Sequence, residues 1–176
     1  RARLRSNELG FVFQYHHLFP EFTAVENGMM PILIANKSKT EAHKRGEELL
    51  RAVGLGDRLH SRPNQLSGGQ NQRVAVARAL ANNPSIVIGD ELTGNLDTKS
   101  SELIYNLLRE LNQKINQTFI LVTHDMTLAE KTDRILRIVD GKIVCEMRRK
   151  DDGFVASDLC VMGEDDGKVV QISREN

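Results

Sequence analysis

The chain has 176 residues, which is enough for one domain with a substantial hydrophobic core. Hydrophobic residues make up 40% and charged residues 27%, and the formal net charge is zero, so nothing global attracts the chain to nucleic acid or anionic lipid. No apolar run is long enough to cross a membrane, and we therefore predict no transmembrane segment. Cys145 and Cys160 are too few for a disulfide framework or a metal site, and a reduced, cytoplasmic compartment is the default expectation.

The first predicted elements are a short strand and a helix. Leu9–Phe13 is predicted to be the strand, and a turn-like segment follows from Gln14 to Pro20. The run Ser38-Lys39-Thr40-Glu41 matches a capping box and predicts the start of a helix that Gly54 is placed to end.

The most informative pattern is Leu66-Ser67-Gly68-Gly69-Gln70. A hydroxyl and two glycines with uncovered N–H groups precede a predicted helix that runs from about Gln70 to the stop at Asn82-Asn83-Pro84. Bare N–H groups at the positive end of a helix dipole form a seat for a phosphate. The alternative interpretation is an ordinary glycine-rich helix start.

Two continuous apolar runs, Ile86–Ile88 and Phe119–Val122, predict strands covered on both faces of a parallel sheet. The segment between them predicts an amphipathic helix with an apolar face, and the three elements make a βαβ unit. The residues of that face are Leu103, Ile104, Leu107, Leu108 and Leu111. Ile135–Val139 and Lys142–Cys145 flank Asp140-Gly141, which predicts a hairpin.

Polar residues follow three of the predicted strands, namely Gln14, Asp90 with Glu91, and His124. Ligands of open α/β sheets bind beyond the carboxyl ends of the strands, so these residues predict a single site. Asp90 is suited to hold Mg²⁺ through its water shell, and Glu91 to orient an attacking water or accept its proton. An imidazole at position 124 can donate to a phosphate oxygen. The plainer alternatives are solvated acids at a strand end and a structural histidine.

The turn after Glu91 is Thr93-Gly94-Asn95-Leu96-Asp97, and Asp97 is placed to cap the following helix. Together these motifs resemble those of the ATP-binding-cassette (ABC) ATPases, from about Leu9 to Cys145. The resemblance implies an α/β fold of the P-loop NTPase type, with a parallel sheet and an α-helical subdomain. It also implies a partial ABC ATPase domain over residues 1–147, its helical subdomain at about 20–82, and a polar C-terminal extension of unknown role at 148–176.

The resemblance also assigns roles to the motif residues, with ATP and Mg²⁺ as cofactors. Glu91 and His124 match the catalytic residues, Asp90 and Gln14 the Mg²⁺ ligands, and Asn95, Leu96 and Asp97 the D-loop. The residues that match nucleotide-binding positions are Ser67, Gly68, Gly69, Gln70 and Gln14. Leu92 stands where the family usually has proline, and this departure is expected to loosen the turn after Glu91.

Within the family, the segment from His16 to Asn27 is most similar to the lipoprotein-releasing (LolD-like) group, with the macrolide-exporter-type ATPases next. The expected partners are a second copy of the chain and transmembrane permease subunits that contact the region after Gln14, at the cytoplasmic face of the inner membrane. No nucleic acid is expected as a partner. The segment Met29–Ile34 would lie near the groove that receives the permease, although it is equally an ordinary core segment.

The family's phosphate loop, Gly-x-x-x-x-Gly-Lys-Ser/Thr, occurs nowhere in the 176 residues. We therefore expect an N-terminally truncated cassette without the strand that leads into that loop, with an incomplete sheet, poor stability and no ATP hydrolysis by itself. The alternative is a catalytically incomplete paralogue that acts as a binding module and donates its signature motif to a partner. A cassette ATPase of DNA repair or translation is a third hypothesis, but neither a second cassette nor a basic patch is visible.

Overall fold

A computed structural model describes residues 8–151, 153–157 and 160 of the chain, and the backbone of residues 168–173. The described residues form one seven-stranded sheet, with the strands in the spatial order β1-β2-β3-β7-β4-β5-β6. In chain order the strands are β1 (Leu9–Phe13), β2 (Ile86–Asp90), β3 (Thr118–Thr123), β4 (Arg134–Val139), β5 (Lys142–Lys150), β6 (Gly153–Ala156) and β7 (Lys168–Ser173). The α/β class expected from the sequence is therefore confirmed.

Three helices lie between β1 and β2, and two more follow β2 and β3. In chain order they are α1 (Ala24–Ile34), α2 (Lys39–Ala52), α3 (Gly68–Ala79), α4 (Thr98–Ile115) and α5 (Met126–Ala129), with a 3-10 turn at Pro63–Gln65. α1, α2 and α3 pack against one another, and α3 also contacts β1. Within the described part of the chain, no helix is both long and apolar enough to span a bilayer.

β1, β2 and β3 are parallel neighbours, as the βαβ pattern predicts. Only one face of this part of the sheet is buried, where Val12, Val87 and Phe119 are each 1% exposed. On the other face Ile88 of β2 and Ile120 of β3 are only partly buried, and Phe11 and Phe13 of β1 are each 41% exposed, so the predicted coverage of β2 and β3 on both faces is not found in the described residues. The reason is that the described helices α3 and α4 pack on the same side.

Within the described residues the sheet is continuous, although the strand that was expected to be missing has no counterpart among its parallel strands β1, β2 and β3. β7 lies between β3 and β4 and is antiparallel to both, so the hydrogen-bonded ladder continues from β3 through β7 to β4. The segment predicted to be a polar extension thus supplies two strands, β6 and β7. Most of residues 158–167 and the last three residues lie outside the described residues.

Side-chain caps set the starts of the helices. Asp97 accepts hydrogen bonds from the backbone N–H of Ser100 at 2.9 Å and from its hydroxyl at 2.8 Å, which confirms the predicted cap of α4. Ser38 caps α2 by accepting from the N–H of Glu41 at 3.2 Å. Leu103 is 58% exposed and does not belong to the buried stripe of α4, because it lies beside that stripe rather than in it.

The hairpin of β4 and β5 turns at Asp140 and Gly141, which have φ of 47° and 72°. Positive φ at both central residues is the backbone of a type I′ turn, as the Asp-Gly pair predicts. Cys145 of β5 is joined to Cys160 by a disulfide. The two cysteines were expected to be too few for a disulfide framework, and they form this single link because the fold of the β5–β6 segment brings them together across 15 residues.

Candidate functional site

The polar residues that follow the strands meet at one edge of the sheet. Phe13 pairs in register with Asp90, and Asp90 with Val122. The next residues along the three strands are therefore Gln14, Glu91 and Thr123, at a common edge. The parallel register alone brings these segments together, as the sequence predicts.

Glu91 and His124 are in direct contact. The Nδ1 atom of His124 lies 2.9 Å from Oε1 of Glu91. The side chain of Glu91 is 17% exposed and that of His124 is 78% exposed, so the imidazole covers the carboxylate and faces solvent. If Nδ1–H donates to the Glu91 carboxylate, Nε2 can donate to a ligand only when both ring nitrogens are protonated.

The backbone of Glu91 turns sharply at the end of β2. Its φ is 48°, in the left-handed region that residues with a Cβ rarely adopt. The N–H of Glu91 donates to the carbonyl of Val122 at 2.9 Å, and its own carbonyl accepts from the N–H of Gly94 at 3.0 Å. These two hydrogen bonds hold the strained turn that directs the carboxylate towards His124.

The buried side chain of Leu92 stabilises the same turn by packing against β2. Its side chain is 8% exposed and packs over Gly89, where an added Cβ would lie 2.7 Å from the leucine side chain. The turn that was expected to be loosened by the loss of proline is thus anchored by a buried leucine.

Gln14 contacts the turn after Glu91 rather than Glu91 itself. Its Nε2 donates to Oδ1 of Asn95 at 3.2 Å, and its amide lies against Gly94. Leu96 packs against the core, and Asp97 is occupied in capping α4. The hydrogen bonds from Ser100, first from its backbone N–H and then from its hydroxyl, lower the pKa of Asp97.

Asp90 is exposed and lies on the open face of the sheet with Phe13 and Val122. Within the described residues, no group of three or more His, Cys, Asp or Glu side chains could hold a metal ion. The pair Asp90 and Gln14 still fits Mg²⁺, because this ion keeps most of its waters and uses one or two protein ligands beside phosphate oxygens. It does not fit a metal that needs a complete protein cage.

The predicted phosphate seat is the N-terminus of α3. Ser67 caps the helix by accepting from the N–H of Gln70 at 3.2 Å, and Oε1 of Gln70 accepts from the N–H of Ser67 at 2.9 Å. α3 therefore begins at Gly68, two residues earlier than predicted. The N–H groups of Gly68 and Gly69 are first-turn donors without intrahelical partners. This leaves them available to an anion.

The seat lies beside the turn that follows Glu91 and beside the first turn of α4. A Cβ on Gly68 would lie 3.3 Å from Leu96, and one on Gly69 would lie 3.4 Å from Ser100. In the part of the chain that the structure describes, the side-chain hydrogen bonds of Ser67 and Gln70 join only those two residues to each other.

Sequence reasoning missed two residues of α3, Gln72 and Arg78. Gln72 is fully buried near His16, and Arg78 donates hydrogen bonds to the carbonyls of His16 at 2.7 Å and His17 at 2.6 Å. Burial is the largest effect on the pKa of His16 and lowers it. The side chain of Gln72 partly opposes this shift, and the positive charge of Arg78 adds to it. His16 is thus half-buried, and no local pattern links it to residues about 60 positions away.

A groove of about 410 Å³ lies between α1, α2 and the segment before α3. Its apolar floor includes Val25, Met29 and Leu33, and its rim carries Lys39 and His60. Met29 and Met30 line this groove, whereas Ile34 is 70% exposed outside it.

Comparison with known proteins defines the class of this fold and site. The family model described as ABC transporter matches residues 1–94, a little over half of the chain. The chain belongs to the ABC transporter family. Its α/β fold, with a parallel sheet and packed helices, is the fold of that family's ATPase domain.

The particular relatives are two solved structures of the cassette MJ0796. One is described as a dimeric post-hydrolysis state bound to ADP and Pi, and the other as a dimeric bacterial ABC transporter cassette. Both are 42% identical to the chain, with TM-scores of 0.71 and 0.72, and both matches cover 84% of it. The chain spans 65% of the length of these solved cassettes.

Proposed function

We propose that the full-length natural protein binds and hydrolyses Mg²⁺-ATP as one of a pair of cassettes in an ABC exporter. The observation that carries this proposal is the contact of Glu91 with His124. This contact lies at the edge of the sheet where Asp90 and Gln14 also lie. The 42% identity to a cassette described in dimeric form with ADP and Pi supports both the ligand and the pairing.

Each site residue has a distinct part in this mechanism. Bound Mg²⁺ supplies positive charge that neutralises the phosphate oxygens. Asp90 and Gln14 would hold it, Glu91 orients the attacking water and accepts its proton, and His124 donates a hydrogen bond to the terminal phosphate. His124 also covers the Glu91 carboxylate, which keeps that carboxylate directed at the site before ligand arrives.

The description of the similar MJ0796 cassette as a dimer bound to ADP and Pi supports a site shared between two copies. The first-turn N–H groups of Gly68 and Gly69 contact a phosphate held by the second copy, and the D-loop residues Asn95 and Leu96 lie along the seam. Because the first turn of α3 lies against Leu96 and Ser100, the seat and the D-loop form one continuous surface.

The role of Glu91 is tested by turnover. Glu91→Gln removes the proton acceptor, and we expect ATP hydrolysis to fall at least about 100-fold because general-base catalysis contributes 10²- to 10⁴-fold. Glu102→Gln is the matched control, since Glu102 is an exposed α4 carboxylate with only a 3.7 Å contact to Lys131. Unchanged turnover in Glu91→Gln would contradict the assigned role.

Sharing of the site is tested by mixing two inactive variants. Ser67→Arg blocks the phosphate seat and Glu91→Gln disables hydrolysis, so neither pair of identical copies should turn over ATP. A mixed pair contains one site with an intact Ser67 and an intact Glu91 from different copies. In a 1:1 mixture about half of the pairs are mixed and each has one complete site of two, so we expect recovery of up to about a quarter of the wild-type activity. No recovery would place both residues in the same chain's site.

We further propose that the two cassettes drive lipoprotein release from the inner membrane, at its cytoplasmic face. The similarity of the His16–Asn27 segment supports this substrate, and the groove lined by Met29 and Met30 supports docking of a permease helix. The test is release of lipoproteins from inner-membrane vesicles that contain the cognate permease. Release should need ATP and fail with Glu91→Gln, and release that proceeds equally with that variant would contradict the proposal.

A further inference from the structure

We propose that Arg78 is a positioning residue that couples the phosphate seat of α3 to the segment after Gln14. This inference rests on the proposed function, because it concerns how nucleotide bound at the seat is sensed elsewhere in the cassette. Arg78 itself contacts neither nucleotide nor Mg²⁺ in this scheme.

The geometry of the contact carries the inference. The two terminal nitrogens of the guanidinium donate to two successive carbonyls, Nη2 to His16 at 2.7 Å and Nη1 to His17 at 2.6 Å. A planar fork that holds two successive carbonyls fixes both the position and the orientation of a backbone segment. His17 has φ of 46°, so the segment is held in a conformation that it would rarely adopt alone.

The two ends of this connection are both functional surfaces in the proposed mechanism. Arg78 lies at the C-terminal end of α3, and Ser67 caps its N-terminal end. Gln14, two residues before His16, donates to Asn95 in the turn after Glu91. A shift of α3 on phosphate binding is therefore passed through Arg78 to the backbone that carries Gln14.

Gln72 reinforces the same contact from within α3. It is 0% exposed, and neither of its amide atoms nor Nδ1 of His16 makes a hydrogen bond of good geometry within the described residues. The amide is nevertheless near enough to His16 to influence its ring. A buried pair without a formed hydrogen bond can gain one when α3 and the segment shift against each other.

The chain offers a matched control in Arg73. This residue is also on α3 and also donates to two successive carbonyls, Val53 at 3.2 Å and Gly54 at 3.3 Å, but these belong to the loop after α2. Arg73→Lys and Arg78→Lys remove the same kind of contact. Only the second touches the Gln14 segment.

The experiment uses ¹⁹F NMR of the full-length natural protein labelled with 3-fluorotyrosine. Tyr15 lies between Gln14 and His16 and is 68% exposed, while Tyr105, on α4, is 8% exposed and serves as an internal reference. Tyr15→Phe assigns the resonance. Mg²⁺ with the ATP analogue AMP-PNP should shift the Tyr15 signal in the wild type and in Arg73→Lys, and Arg78→Lys should lose more than half of that shift with an unchanged nucleotide affinity.

Each outcome bears on the inference. A full Tyr15 response in Arg78→Lys, or an equal loss in both lysine variants, would overturn it. Dimerisation of the wild type by AMP-PNP with a silent Tyr15 would also overturn it and leave the proposed function standing, whereas failure to dimerise would count against the proposed function itself. Arg78→Gln, which keeps one donor group, provides a second variant if Arg78→Lys does not fold.

Discussion

We predict that Glu91, the proposed catalytic residue, lowers the stability of the protein because its backbone is held in a strained conformation. Its φ of 48° costs a residue with a Cβ about 1–2 kcal/mol. Asparagine tolerates this region, so Glu91→Asn should recover about 1 kcal/mol of that strain. The contact with His124 offsets little, because the imidazole is 78% exposed and solvent screens the pair.

Glu91→Gln is the matched control, since it removes the same charge and keeps a side chain with the backbone preference of glutamate. One kcal/mol raises Tm by about 2–4 °C in a protein of 150–250 residues. We therefore expect Glu91→Asn to melt about that much above Glu91→Gln in thermal unfolding followed by circular dichroism, and neither variant to hydrolyse ATP. A melting temperature of Glu91→Asn equal to or below that of Glu91→Gln would refute the reasoning.

Three further predictions concern stability. Gly10→Ala would place a Cβ 2.5 Å from the Ala79 carbonyl oxygen and should destabilise the fold by about 2–3 kcal/mol. Gly28→Ala in α1, where the nearest atom to an added Cβ is 3.9 Å away, should stabilise it by about 0.5–1 kcal/mol. Equal denaturation midpoints of the two variants would contradict this contrast. Burial depresses the pKa of His16 below 6.5, so the folded state resists protonation and the free energy of unfolding should fall as the pH drops below that value. The fall should be less steep in His16→Gln. Denaturation curves that show the same loss of stability from pH 7.5 to 5.5 in the wild type and in His16→Gln would exclude the effect. Reduction of the Cys145–Cys160 disulfide, which closes a loop with a sequence separation of 15, should destabilise the wild type by about 3 kcal/mol. The same reductant should not change the melting temperature of the Cys145→Ser/Cys160→Ser double variant. A wild type whose melting temperature is insensitive to reductant would show that the disulfide adds no stability.

Features set by neighbouring residues could be predicted from the sequence. The caps at Ser38, Ser67 and Asp97 depend on side chains three residues from the N–H groups that they accept from. The Asp140-Gly141 turn likewise follows from two residues that tolerate positive φ. The meeting of Glu91 with His124 needed one further step, the rule that parallel strands end at the same edge.

Features set by distant parts of the chain could not be predicted. Nothing in the sequence near Arg78 shows that its guanidinium reaches the carbonyl of His16, 62 residues away. The contact of Gln14 with Asn95 depends in the same way on how the turn after β2 folds back. Sheet order is also a global property, and the place of β7 between β3 and β4 has no local signal in a polar segment.

The departures from expectation have physical causes. A continuous apolar run cannot say which face of a strand a helix will cover, which is why β2 and β3 were expected to be covered on both faces although Ile88 and Ile120 are only partly buried. Two cysteines carry no pattern by themselves, and only the fold of the β5–β6 segment brings Cys145 to Cys160. In both cases the missing information was tertiary.

The central claim is that two copies of the protein close around Mg²⁺-ATP, with the α3 N-terminus of one facing the Glu91–His124 pair of the other. The most direct measurement is the molar mass of the full-length Glu91→Gln variant by light scattering, with and without Mg²⁺-ATP. We predict that the nucleotide doubles the mass and that Ser67→Glu in the same background prevents the doubling. A variant that stays monomeric with nucleotide, or that pairs equally well with Ser67→Glu, would contradict the account.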